Sequence, residues 1–266
     1  MGARRRFITA HQRALAHWQR PIPVAYWRAL RHGLSFVHPT PNLLYPQLED
    51  ITSKGVDLAI PSLQRILRDD ELGIWVLDAA TIEAVWSLLQ RDQPETILEC
   101  GSGVSTIMFA QFLAEQQHAA PRRQRVISLE QDAEWVKHTR ERLGALDLAD
   151  YATVLHVPIS SRGIYQIDCD ALHTILRGYP ADWLFIDGPS GPEGCRRWTL
   201  SQLRQLARPG ARWLLDDALR DGELNFLWDW PDVAGIWPIG KGLATGFMRW
   251  RAAPLDLWPL AACGPS

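Results

Sequence analysis

Asp187 and Asp216 each close a short apolar, β-rich run (WLFID and ARWLLD), and Asp217 follows directly. Carboxylates gathered in this way are hard ligands that suit Mg2+ or Mn2+, and a carboxylate beside a hydroxyl can take its proton. Without a cation, three such groups repel one another, and one of them holds its proton more tightly. Asp217 also has a plainer reading as the cap of the following helix. A second group surrounds two glycines in Glu99-Cys100-Gly101-Ser102-Gly103-Val104-Ser105-Thr106. One glycine permits a tight turn, the other lets a ligand approach the backbone, and the helix start offers unpaired N–H groups. Ser102, Ser105 and Thr106 belong to the same candidate ligand loop. Glu99 precedes the first glycine; its charge would repel a diphosphate and attract the ammonium of an amino-acid-bearing ligand. A dinucleotide fingerprint wants Gly or Ala where Thr106 stands. Glu130, followed by Gln131, ends the run RVISLE 29 residues after Gly101. A carboxylate there can accept both hydroxyls of a ribose; the usual spacing is about 20, and the polar stretch His118–Arg125 accounts for the excess.

These residues need strands to end together and helices to start beside them. From Thr96 the pattern alternates. Strands are expected at Thr96–Cys100, Arg125–Glu130, Ala152–Val157, Trp183–Asp187 and Ala211–Asp216. Helices are expected at Val104–Gln117, Ala133–Leu143, Cys169–Leu176, Glu193–Ala207 and Ala218–Trp228. Repeated β-α units predict an α/β fold, a doubly wound, mostly parallel sheet with helices on both faces. The ending breaks the rhythm: Ala234–Ile239 and Leu243–Arg251, joined by Gly240-Lys241-Gly242, read as a C-terminal antiparallel β-hairpin. Upstream, Leu63–Arg68 and Ala79–Gln90 read as helices, the second capped by Asp78. The division expected is an N-terminal helical extension or substrate lid over 1–93, a ligand-binding domain over 94–252, and a tail over 253–266.

Composition narrows the choices. The 266 residues are 47% hydrophobic and 22% charged, a globular balance, and no apolar run approaches a membrane span of about 18 residues. Cys100, Cys169, Cys195 and Cys263 lie far apart with no CxxC, so reduced thiols and a cytoplasmic setting are expected. Net charge is −2, yet residues 1–48 hold seven arginines and no acid, which leaves the remaining 218 residues at −9. A phosphate-tracking surface should be basic, so nucleic acid is a poor partner for the body. Arg4-Arg5-Arg6 lacks the apolar stretch of an export signal. Phe7, Ile8, His11, Ala14, Leu15 and Trp18 fall at helical spacing, Pro21 and Pro23 end that helix, and a second short one fits Val24–Phe36. Residues 4–20 therefore read as a helix packed on the body or, alternatively, as a basic face held at a membrane periphery or acidic partner. The narrow apolar stripe favours packing. Oligomeric state is not legible.

The motifs ILECGSGVST, VISLEQD, WLFIDGPSG and WLLDDALR, with the closing hairpin, resemble those of class I S-adenosylmethionine-dependent methyltransferases over about Thr96–Arg251. The resemblance implies a Rossmann-like fold with S-adenosyl-L-methionine as cofactor. Glu99, Gly101, Ser102 and Gly103 would hold its methionine part, Glu130 its ribose, and His156–Pro158 would lie near its adenine. The three aspartates are similar to the acids of cation-dependent O-methyltransferases of the catechol and caffeoyl-CoA types, with Asp-Asp in place of their Asp-Asn pair. That likeness implies Mg2+ or Mn2+ on Asp187, Asp216 and Asp217. Asp187-Gly188-Pro189-Ser190-Gly191 also resembles a segment of methyltransferases acting on glucuronic acid in xylan. A saccharide or other small-molecule hydroxyl is then the expected acceptor, with Arg196, Arg197 and Arg220 either pairing with an acidic group on it or bridging surface acids. Asp187, Asp217 and His173 are the catalytic candidates, Asp187 serving also toward the cofactor; Tyr165 is a further candidate base or stacking wall. The competing readings are an NAD-linked oxidoreductase, opposed by Thr106 and the hairpin, and a non-catalytic cofactor-binding module, opposed by the three aspartates.

Overall fold

In the computed structural model, which describes residues 21–28, 60–66, 77–117, 125–176, 179–192, 194–230, 232–237, 239 and 242–248, the apolar runs pair into one seven-stranded sheet. Its strands are β1 (Thr96–Cys100), β2 (Arg125–Glu130), β3 (Ala152–His156), β4 (Ala181–Ile186), β5 (Ala207–Leu215), β6 (Val233–Trp237) and β7 (Leu243–Phe247). The order is β3-β2-β1-β4-β5-β7-β6. Strands β1 to β5 pair in parallel, and β7 runs antiparallel between β5 and β6. All of β1 and β4 is buried, which explains why they read as continuous apolar runs without alternation.

Helices cover both faces. On one lie α1 (Pro61–Ile66), α2 (Ala79–Asp92), α3 (Val104–Gln117) and α4 (Ala133–Ala145); on the other lie α5 (Cys169–Leu176), α6 (Thr199–Leu203) and α7 (Asp221–Phe226). Successive side chains of a strand face opposite ways. In β1, Ile97 joins the core under α2 and α3, while Leu98 and Cys100 join the core under α5 and α6. Asp78 caps α2 by accepting the Thr81 N–H at 3.0 Å. Ile82, Val85, Trp86 and Leu89 of α2 pack into the same core as Phe109, Trp183 and Phe185. Asp92, at the end of α2, accepts from Trp183 Nε1 at 3.1 Å and from Arg212. The boundary expected at residue 93 is therefore absent from the packing: α1 and α2 are part of the body, not a lid. Ile22 bridges to Ile236 at the sheet edge, residues 24–28 form a helical turn, and Trp27 is buried.

Two expectations need correction. The helix expected over Glu193–Ala207 is a short helical turn (Cys195–Trp198), then α6, then another turn (Arg204–Leu206), and β5 already begins at Ala207. The helix expected from Ala218 starts at Asp221, because residues 216–219 make a turn that is tied by Ala218 N–H to Gly242 O at 2.8 Å. Cys100 and Cys195 are free thiols. The expected helix over residues 4–20, the loop 118–124 and the tail 253–266 lie outside the described residues. Among the described residues no helix is long and apolar enough to cross a membrane.

Candidate active site

The order β2-β1-β4 makes the space above β1 a topological switch point, where ligands of open α/β sheets bind. Cys100, Glu130, Asp187 and Asp216 all come to this end of the sheet, where Asp187 N–H bonds Cys100 O at 2.9 Å and Asp216 N–H bonds Ile186 O at 3.0 Å. Gly101 (φ 97°) and Gly103 (φ 127°) adopt backbone conformations that side chains rarely tolerate. A Cβ on Gly101 would sit 3.6 Å from the Asp187 backbone, filling the gap between the two strand ends. Gly188 is tighter still: a Cβ there would lie 2.2 Å from Tyr165 Oη and 2.9 Å from Gly101 N.

The glycine loop rests on a buried polar network. Glu99 is 0% exposed and lies beneath the loop, because strand alternation turns it toward α3. Its Oε2 accepts from Thr106 Oγ1 at 2.6 Å and Ser128 Oγ at 2.5 Å, and Thr106 Oγ1 also accepts the Gly103 N–H at 3.0 Å. Burial pushes Glu99 up to about 7 against the pull of the Ser105, Ser128 and Thr106 hydroxyls. Glu99 and Thr106 therefore brace the loop from below, and the buried Ser105 sits with them; none of the three opens to the cleft. Trp135, which sequence reading passed over, packs on Gly103 and donates Nε1–H to Ser102 O at 2.9 Å. Its position in the first turn of α4 held no local signal of that contact.

Glu130 is placed as expected, at the end of β2 beside the loop. Ser102 Oγ donates to its Oε2 at 2.9 Å and Asp132 N–H to its Oε1 at 3.0 Å. Burial nonetheless holds its pKa above the ordinary carboxylate value. Gln131 spans the top of β1: its Nε2 donates to Ser190 O at 3.1 Å, and its Oε1 accepts the Ser190 N–H at 2.8 Å. His156 Nε2 is 3.2 Å from Gln131 O, which puts that exposed ring at the same rim. Tyr165 is buried with its Oη unpartnered among the described residues, and burial raises its pKa well above the usual value. His173 goes elsewhere. It is exposed in the last turn of α5, and nearby Ile175 O accepts from Arg125 at the opening of β2, the end of the strand opposite Glu130. The last turn of α5 therefore lies at the far end of the strands, and His173 leaves the catalytic set.

The three aspartates do converge: carboxylate oxygens of Asp187, Asp216 and Asp217 lie within 4.8 Å of one another. Burial first, then Asp217 and Asp187, pushes Asp216 well above the ordinary range. Asp217 reaches the cluster through a left-handed backbone (φ 56°) in the turn after β5, and does not cap α7. Arg196 enters this group from beneath. It is 3% exposed; its Nη2 donates to Asp187 Oδ1 at 3.0 Å and lies 3.4 Å from Asp217 Oδ2, while Nη1 donates to Asp216 O at 2.9 Å. Burial works to lower its pKa, but Asp187, Asp217, Asp216 and Glu223 outweigh this and hold the guanidinium protonated. Arg220 pairs with Asp217 as well, and Arg197 pairs with the exposed Asp229 at 2.7 Å. Arg196 and Arg220 are thus paired with internal acids and Arg197 with a surface one, the bridging arrangement of the two expected for these arginines. The three carboxylates have the chemistry of a Mg2+ or Mn2+ site, but the point from which a cation would chelate Asp187 and Asp217 is faced by a fixed positive charge. The donor set does not fit a divalent ion while Arg196 is in place.

The glycine turn after β1 and the carboxylate of Glu130 thus stand side by side at the switch point, where a nucleoside ligand of such a sheet would lie. Residues 98–218 match the model of a family described as a methyltransferase domain. Similar solved structures include an O-methyltransferase from Bacillus cereus in complex with SAH (18% identity over 84% of this chain and 99% of that one, TM-score 0.51). A cofactor-bound protein from MTB is 24% identical over 71% of this chain and 90% of that one, with a TM-score of 0.52. An SAH-bound methyltransferase from Podospora anserina is 15% identical over 80% of this chain and 98% of that one, also at 0.52. At such identities these likenesses speak for the fold. No curated protein matches the chain. The sheet order is that of the class I S-adenosylmethionine-dependent methyltransferase fold, and the matched family model covers the part of the chain that builds the cleft.

Proposed function

We propose that this protein transfers a methyl group from S-adenosylmethionine to a hydroxyl oxygen of a small molecule. The observation that carries the reading is the convergence of Asp187, Asp216 and Asp217 beside the glycine-floored gap. The cofactor supplies a methyl group on a sulfonium, already a good leaving group. The protein's work is then to position the acceptor, exclude water and remove the hydroxyl proton. Asp187 is the cluster member most open to the cleft, with its side chain 27% exposed, and takes that proton. Arg196 orients it through Oδ1. Asp217 is paired with two arginines and serves to hold Arg196 and Arg220 in place. Glu130 accepts from the ribose, on the rim that Gln131 and His156 share. Thr106, in the third fingerprint position, spends its hydroxyl on Glu99, which leaves the dinucleotide reading without support. The solved O-methyltransferase of this fold supports oxygen as the acceptor atom.

Calorimetric titration with S-adenosylhomocysteine tests the cofactor, and a screen of phenolic, catecholic and saccharide hydroxyls with methyl-labelled cofactor tests the acceptor. Binding of S-adenosylhomocysteine together with label on oxygen is expected. Tight NADH binding without any response to S-adenosylhomocysteine would reverse the assignment.

A further inference from the structure

We propose that Arg196 is the built-in cation of the acid cluster, a positioning residue that stands where a divalent metal would have to bind, so that the centre takes up no metal. The inference rests on the reading of the cleft as a methyltransferase site, and it concerns how that site is charged. Two observations and one property of arginine carry it. One nitrogen, Nη2, faces both Asp187 Oδ1 (3.0 Å) and Asp217 Oδ2 (3.4 Å), while Nη1 donates to the main-chain carbonyl of Asp216 at 2.9 Å, so a single guanidinium touches two of the carboxylates and the backbone of the third acid. Arg196 is also locked in. It is 3% exposed, on the short turn Cys195–Trp198, which starts at Gly194 (φ 81°), whose N–H donates to the buried Glu223 at 3.0 Å. Finally, an arginine cannot give up its proton to make room for an ion, and its flat fork matches carboxylates better than a point charge does. An ion bonded to oxygens of both Asp187 and Asp217 at about 2.0–2.6 Å would lie against that guanidinium and against Arg220, which also pairs with Asp217. Arg196 thereby keeps Asp187 aimed at the cleft with no ion to load or lose.

The test is uptake of Mn2+ by the chelator-treated full-length protein, followed by the paramagnetic resonance of free Mn2+. The wild-type protein is expected to leave the ion free into the millimolar range. One equivalent bound at micromolar Mn2+, and lost in Asp217→Asn, would overturn the proposal. Arg196→Met, shown to be folded by its thermal transition, is expected to gain uptake of one ion, a change that loss of mere structural support would not produce. A folded Arg196→Met that still ignores Mn2+ would count against Arg196 as the occupant of the ion's place. If that variant does not fold, the wild-type titration decides alone. Calorimetry with S-adenosylhomocysteine on the same sample separates the two ideas: no binding there defeats the methyltransferase reading, and Mn2+ uptake defeats the present one.

Discussion

Glu99 shows how one side chain can carry a charge of the right kind and yet face the wrong way for the role its sequence position suggests. Buried under the glycine loop, it holds a proton up to about pH 7, against about 4.5 in the unfolded chain. The folded state therefore binds more protons than the unfolded one between these values, and stability falls as pH rises through that interval, by on the order of 3 kcal/mol. Glu99→Gln should remove this slope. Denaturant melts at pH 5 and pH 8 check it, and an unchanged difference between the two would mean that Glu99 is ionised cheaply. Glu130 has the opposite placement, at the rim. Glu130→Gln should weaken S-adenosylhomocysteine binding about tenfold or more, the scale of a hydrogen bond to a charged group, as read by calorimetry. Asp187→Asn keeps the shape of the side chain and an oxygen for Arg196, so it should abolish transfer to whichever acceptor the screen finds while S-adenosylhomocysteine still binds.

At the scale of elements, the site depends on how closely two strand ends approach. Gly188 packs against Tyr165 Oη and the Gly101 backbone, with no room for a Cβ. Gly188→Ala should cost about 1–3 kcal/mol of stability by overpacking and disturb the cofactor loop, lowering both the melting temperature and S-adenosylhomocysteine affinity; full retention of both would show that the gap is wider than drawn. The β-α rhythm from Thr96 onward was legible because each strand is short, apolar and bounded by turn residues. Helix α5 and strands β1 and β2 lie at their expected limits. The stretch Glu193–Ala207 misled because its apolar residues fit a helical period, whereas the turns around Arg196 are set by Gly194, Glu223 and the acid cluster, all distant partners.

For the whole molecule, the N-terminal side is part of the body. Ile22, Val24 and Trp27 are buried against the β6 side of the sheet, and Ile22 pairs with Ile236 through hydrogen bonds of 2.9 and 2.8 Å. Removal of residues 1–20 leaves these contacts intact. Removal of residues 1–28 strips them away, and at about 1.5–3 kcal/mol for each fully buried apolar side chain it should lower the melting temperature sharply. Equal melting temperatures for the two truncations would place the segment outside the cooperative unit.

The sequence alone determined what local chemistry can determine: an alternating α/β chain, a glycine turn after its first strand, a carboxylate ending the second, and three aspartates at the ends of the fourth and fifth. Spacing and residue type suffice there, because each feature is settled within a few residues of backbone. Tertiary structure decided the direction and company of those groups. It turned Glu99 under the loop, carried His173 to the far end of the sheet, inserted β7 between β5 and β6, and drove Arg196 among the aspartates. Each of these outcomes depends on which distant segments share a face or an edge, and a buried charge settles only where the whole fold supplies its counter-charge.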